Sequence, residues 1–142
     1  MGEPQREQRR IFLKTVEAYL LKPYEWGGQG FDAVDCSGLV VEGLRAAGLI
    51  GDKEDIFADG LWRKYRDKYT VPRPRSGCLI FWFRNNRAVH IAVGIGTYHC
   101  IGAHGGDSSV KTEDDADKRE AFVKIRPTNY RGETFRCLDL FS

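Results

Sequence analysis

Apolar residues recur along this chain with two different periods, and the change from one to the other divides it. From about Gln5 to Leu21 the apolar positions Ile11, Phe12, Val16, Tyr19 and Leu20 fall near helical spacing, with Arg, Lys, Glu and Gln between them. That pattern predicts an amphipathic first helix. Lys22-Pro23 should end it, because the residue before a proline is pushed out of the α region. Between Tyr24 and Asp35, glycines at 27, 28 and 30 predict an irregular, shaped loop. The next helix has the clearest pattern: Cys36, Leu39, Val40, Gly43, Leu44 and Ala47 stand at i, i+3, i+4, i+7, i+8 and i+11, all on one face. Asp35 suits its N-cap and Gly48 its C-terminal stop. From Gly51 to Thr70 a loop and a third helix are expected, with Ile56, Leu61, Trp62, Tyr65 and Tyr69 in packing positions.

The run Val71-Pro72-Arg73-Pro74-Arg75-Ser76-Gly77 breaks any helix, and the period changes after it. Cys78 to Phe83 is a continuous apolar run of β-formers, as expected of a central strand buried on both faces. Arg84-Asn85-Asn86-Arg87 reads as a turn. Ala88 to Gly96 alternates, putting His90, Ala92 and Gly94 on one face and Val89, Ile91, Val93 and Ile95 on the other. Tyr98 to Ala103, Phe122 to Arg126 and Phe135 to Leu140 supply three more strands, while the charged stretch Lys111 to Glu120 reads as a solvated loop or hairpin tip. Helices followed by an antiparallel meander of about five strands predict an α+β fold, helical over about 5–70 and sheet over about 77–141.

Composition narrows the classes. A chain of 142 residues fits one domain. Its 42% hydrophobic and 30% charged content is that of a globular protein. A net charge of +2, with basic residues scattered among acidic ones, sets nucleic-acid binding aside. No run approaches the roughly 18 to 20 apolar residues of a membrane span, and Met1 to Arg10 is charged with no apolar segment behind it. The expectation is therefore synthesis in the cytoplasm without a secretory signal, with any action outside depending on release or delivery. Cys36, Cys78, Cys100 and Cys137 are widely spaced with no Cys-x-x-Cys pair, so neither a metal site nor a cofactor is expected. Cys78, Cys100 and Cys137 read as small buried apolar side chains.

Cys36 stands apart from them. At the first position of a helix, unpaired N–H groups and the macrodipole favour a thiolate and can bring its pKa well below the free value of about 8.5. The plainer reading, a small core residue on the inward stripe, stands equally beside that one. Thiol catalysis also needs a base, and a third group to fix the base's orientation. His90 is the candidate base, on a strand whose opposite face is aliphatic, so that the ring can point toward the loop containing Tyr24.

Taken together, Tyr24-Glu25-Trp26-Gly27-Gly28, Asp35-Cys36-Ser37-Gly38-Leu39-Val40, the Arg-Pro-x-x-Gly-x-Leu-Ile-Phe-x-Phe run through Phe83, and His90-Ile91-Ala92-Val93-Gly94-Ile95-Gly96 resemble the NlpC-type family of cell-wall cysteine peptidases, which has a papain-like fold. The resemblance covers roughly Phe12 to Asp107. It implies a hydrolase of peptidoglycan stem peptides, typically cutting a γ-D-glutamyl to diaminopimelate bond, with Cys36 as nucleophile and His90 as general base. It further implies that Tyr24 assists the oxyanion or the substrate, that Asp35 and Ser37 line a subsite for a free amine, and that Trp26 belongs to the same substrate side. The stretch Ile101 to Ser108 is similar to the phage-encoded branch, whose partners would be tail proteins.

Two positions depart from the family's pattern. Gly77-Cys78 replaces the usual Gly-Asp. The third catalytic position, about twelve residues after the base, falls on Gly102, which has no side chain to orient an imidazole. His104, two residues on and on the same face of a strand, is taken as the orienting residue, with His99 on the opposite face or a backbone carbonyl as alternatives. A Cys-His amidase or acyl transferase, or an inactive phage tail component, are the competing functions.

Overall fold

The computed structural model describes residues 2–26, 34–51, 56–104, 112–132 and 134–142. The expected glycines at 27, 28 and 30 and the stretch 105–111 lie outside these residues. Three helices come first: α1 (Glu3–Glu17), α2 (Cys36–Ala46) and α3 (Ala58–Tyr69). The strands follow: β1 (Thr70–Val71), β2 (Leu79–Arg84), β3 (Arg87–Gly94), β4 (His99–His104), β5 (Phe122–Pro127) and β6 (Phe135–Leu138), with a short helix, α4 (Glu113–Arg119), before β5. This is the expected α+β arrangement of helices packed on an antiparallel sheet.

α1 ends at Glu17, short of the proline that was expected to stop it. The chain is drawn off instead by the sheet. Leu21 takes a positive φ of 69°, its N–H donates to the Val123 carbonyl, and the Tyr24 N–H donates to the Ala121 carbonyl. α2 matches its sequence pattern closely. The Asp35 carboxylate caps it by accepting from the Gly38 N–H at 2.6 Å, and Gly48, at φ 81°, turns the chain away beyond its end. Gly43 lets α1 lie against α2: a Cβ there would stand 2.7 Å from the Phe12 ring.

The sheet is not a simple meander. Its order is β1-β6-β2-β3-β4-β5, so β2 to β5 run as consecutive neighbours and β6 returns to the far side of β2, where the two-residue β1 completes the edge. β2 is the central strand that its apolar run predicts. The connection from β5 to β6 must therefore cross the sheet. The stretch expected as a solvated loop contains α4, because Thr112 and Asp115 close a capping box and Ala116 is fully buried. A charge count hides both signals.

The core lies between the sheet and the helices, with Phe12, Val16, Leu39, Val40 and Leu44 facing Leu79, Phe81, Ile91, Val93 and Ile101. A second, smaller cluster covers the other face: Cys78, Ile80, Trp82, Ala92, Cys100 and Cys137, with Tyr130 and Phe135 packed on it. Asp139, fully buried, pins the C-terminal segment by accepting from Arg9 at 2.9 Å and Arg75 at 2.6 Å.

Candidate active site

The β3–β4 ladder creates the site by stopping short. The two strands pair at Val93↔Ile101 and Gly94↔Cys100, yet β3 extends back to Arg87 and β4 forward to His104. Among the described residues, no pairing joins the halves that carry His90 and His104. The Ile95 N–H donates across to the His99 carbonyl at 3.0 Å, and by strand alternation the Ile91 N–H points to the same side. It has no β4 partner in the ladder. It meets the sulfur of Cys36 instead, together with the Ser37 N–H. The first residue of α2 thus reaches the opening between the strands from the helical side.

On the other face of the sheet His90 meets two further groups. Its Nε2 lies 2.8 Å from the Tyr130 hydroxyl and 3.2 Å from His104 Nδ1. The same hydroxyl lies 2.6 Å from His104 Nδ1. His104 is 1% exposed, and Trp82 packs against both His90 and Tyr130 with ring centroids 5.5 Å apart. Gly102 makes the space: a Cβ at that position would stand 2.9 Å from His104 Cε1. The glycine at the expected third position is thus the gap that the ring of His104 fills. His99 takes no part; it is exposed and lines a separate hollow with Pro74, Tyr98 and Pro127.

Tyr130 went unremarked in the sequence, and the topology explains why. An isolated tyrosine in a turn carries no local signal, and a meander would have kept the β5–β6 connection at one edge. The actual crossover carries it over β4, β3 and β2. Thr128 anchors that passage, its N–H donating to the Tyr98 carbonyl at 2.9 Å and its hydroxyl to the Thr97 carbonyl at 3.2 Å.

Electrostatically the cluster is neutral. The helix start predicts a lowered thiol pKa, but burial first, and the Asp35 carboxylate second, push Cys36 up to about 11 against the opposing Ile91 and Ser37 N–H groups and Arg131. The residue that caps the helix is also an anion beside the thiol. Burial likewise holds His90 well below its ordinary value, helped by His104 and Arg131. It lowers His104 to about 3, helped by Arg126, Lys124 and Arg131, and raises Tyr130. Arg131 is the cation that acts on all four.

A cleft of about 390 Å³ opens in front of Cys36. Tyr24, Trp26, Asp35 and Ser37 line one side, and Phe57, Asp59, Arg87 and Val89 the other. Tyr24 is held there by bridges that tie Pro23 to Phe122 and Tyr24 to Val34. Ser37 donates to the Asp35 carboxylate at 3.3 Å. The far wall was not picked out from the sequence. It is fixed by Asp59, which accepts from the Ala88 N–H at 2.9 Å and from Arg63 at 2.7 Å; the amide, then Arg63, holds its carboxyl below the usual range despite burial. Trp26, Phe57 and Val89 remain 53%, 59% and 40% exposed, so the rim is apolar above an acidic floor.

Comparison with solved structures finds the same architecture. The P60 domain of an antigen from M. avium subspecies paratuberculosis superposes with a TM-score of 0.72 at 20% identity, covering 97% of this chain and 98% of that one. The NlpC/p60 domain of the peptidoglycan hydrolase SagA gives 0.61 at 20% identity, over 93% and 98%. The peptidoglycan hydrolase RipB from Mycobacterium tuberculosis gives 0.70 at 19% identity, over 100% and 69%. No curated protein matches by sequence. The sequence itself matches the NlpC/P60 family over residues 21–126, a span that runs from the Tyr24 loop through α2 and β3 into β5, and the chain belongs to that family.

Proposed function

We propose that the protein is a cysteine peptidase of peptidoglycan, cutting an amide bond of the stem peptide with Cys36 as nucleophile and His90 as base. The observation that carries this reading is the placement of the Cys36 sulfur on the Ile91 backbone, one residue from His90, at the floor of an open cleft. Family membership and the peptidoglycan hydrolases among its structural neighbours support the substrate class.

In this reading His90 Nδ1 addresses the thiol, since Nε2 is engaged with Tyr130 and His104. Both groups rest in their neutral forms, so the proton moves as the bond forms. Sγ attacks the amide carbon, its proton passes to His90, and the imidazolium gives that proton to the leaving amine. Water, deprotonated by His90, then attacks the thioester; the carboxylate leaves and the thiol regains its proton. The Ile91 and Ser37 N–H groups steady negative charge on the sulfur. Tyr24 is assigned to the oxyanion, and Asp35 with Ser37 to an ammonium of the substrate, a charge-assisted pairing at the cleft floor. A γ-D-glutamyl to diaminopimelate bond fits such a subsite.

Digestion of purified peptidoglycan, with products read by mass spectrometry, tests this directly. New amine and carboxylate ends within the stem peptide are expected, and Cys36→Ala should lower kcat by roughly 10⁴-fold or more without changing the fold. Unchanged turnover in that variant overturns the reading. Release of whole stem peptides from the sugar would instead identify an amidase using the same pair.

A further inference from the structure

We infer that Tyr130 is the residue that orients the imidazole of His90, and that His104 acts behind it by fixing the direction of the Tyr130 hydroxyl. The inference rests on His90 being the base for Cys36. Three polar atoms form a triangle, and its two short sides, 2.8 Å and 2.6 Å, both meet at the hydroxyl. The direct contact between the imidazoles, at 3.2 Å, is the longest side.

A hydroxyl has one proton to give and lone pairs to receive. Two arrangements of protons use both short contacts, and in the first His90 Nε2–H donates to the hydroxyl oxygen and the hydroxyl donates to His104 Nδ1. His90 is then left with a lone pair on Nδ1, the form that can accept a proton from a thiol. In the reverse, His104 Nδ1–H donates to the hydroxyl oxygen and the hydroxyl donates to His90 Nε2, which moves the His90 proton to Nδ1. That tautomer cannot accept a proton there, so the role of His90 as base selects the first arrangement. Burial keeps both rings neutral and keeps the phenol protonated, so the charged alternatives are costly.

The hydroxyl is held in place from several sides. Trp82 makes a T-shaped contact with the Tyr130 ring, His104 makes a second one with centroids 4.7 Å apart, and Thr128 ties the crossing segment to the β4 side. Tyr130 also lies beyond residues 21–126, over which the family match runs. The orienting group thus comes from the crossover, and Gly102, by lacking a Cβ, admits the imidazole that directs it.

Tyr130→Phe removes the hydroxyl and keeps the ring. Its kcat on stem peptide should fall about tenfold to a hundredfold with KM changed less than about twofold, since the base is misdirected and the cleft is untouched. Ring nitrogen-15 NMR of the whole chain at neutral pH should find His90 as the Nε2–H tautomer in the unmodified protein and a tautomer mixture in Tyr130→Phe. A kcat within twofold of the original, or a His90 carrying its proton on Nδ1 in the unmodified protein, overturns the proposal. The tautomer is read without substrate, so it decides the role of Tyr130 even if Cys36→Ala were to leave turnover intact and the hydrolase reading itself failed.

Discussion

The sheet presents two faces that are held by different physics. Toward the helices, Leu79, Phe81, Ile91, Val93, Ile101 and Leu138 meet Phe12, Val16, Leu39 and Leu44, and the contact is almost entirely aliphatic and aromatic carbon. Away from them, the cover includes three thiols, Trp82, His90, His104 and Tyr130. Carbon packing is non-directional, so the first face tolerates small shifts. The second buries polar atoms that are costly unless their hydrogen bonds close; the segment carried across the sheet closes those of His90 Nε2 and His104 Nδ1, while Trp82 Nε1 and His104 Nε2 have no partner among the described residues. One face supplies stability and delivers Cys36 at the end of α2. In the proposed mechanism the other supplies the orientation of its base.

The largest test of that division is Phe12→Ala. Phe12 is fully buried, lies over Gly43 and packs on Phe141 with centroids 5.3 Å apart. Removing the ring should cost about 3–5 kcal/mol, a factor of roughly 10² to 10⁴ in the folding equilibrium. Urea unfolding would read that loss, while kcat measured where the variant is still folded should stay within about twofold of the original. Tyr130→Phe should do the opposite, losing more rate and less stability, about 1–3 kcal/mol for the buried hydrogen bonds it opens. If Phe12→Ala slowed turnover by the folded protein as much as Tyr130→Phe, the two faces would not be separable.

The division also decides what could be read from the sequence. α2 was legible because its stripe from Cys36 to Ala47, its Asp35 cap and its Gly48 stop are local signals that the fold leaves unchallenged. β2 and β3 were legible for the same reason, down to the alternation that separates His90 from Ile91. Long-range events were not. The early end of α1 comes from Leu21 bonding to Val123 of β5 and Tyr24 to Ala121 just before it. The return of β6 beside β2 brings Tyr130 over His90, and no turn residue announces it. Gly102 shows the limit most sharply: alone it reads as a missing side chain, and its purpose appears only when the ring of His104 is seen in the space it leaves.

A second test asks whether the helix end alone activates the thiol. Were Cys36 and His90 an ion pair, alkylation by iodoacetamide would hold a plateau into mildly acidic pH. Burial and Asp35 instead raise Cys36 to about 11, with Arg131 and the Ile91 and Ser37 amides opposing. Only the thiolate reacts, so its labelling rate should rise about tenfold per pH unit from acidic to alkaline conditions. Cys78, Cys100 and Cys137 are buried and should label only on unfolding. A flat acidic plateau at Cys36 would return activation to the helix end, and the base would then matter mainly for the leaving group.

The finest test is Gly102→Ala, which alters the polar face by one methyl group. The new Cβ would stand 2.9 Å from His104 Cε1 and 3.1 Å from its Nε2, with the Ala92 methyl, 3.1 Å away, on the same side. Real Cβ contacts are not that short, so the imidazole must move. His104 is packed against Tyr130 and His90, and a shift of a few tenths of an ångström carries Nδ1 away from the hydroxyl it receives from at 2.6 Å. Overpacking of this kind typically costs about 1–3 kcal/mol of stability. The effect on kcat should be smaller than that of Tyr130→Phe, about tenfold or less, because the hydroxyl stays and loses only its aim. Adding His104→Ala to Gly102→Ala removes the clash, and stability should partly return while the rate does not. Recovery of both together would mean that His104 fills space on this face and directs nothing.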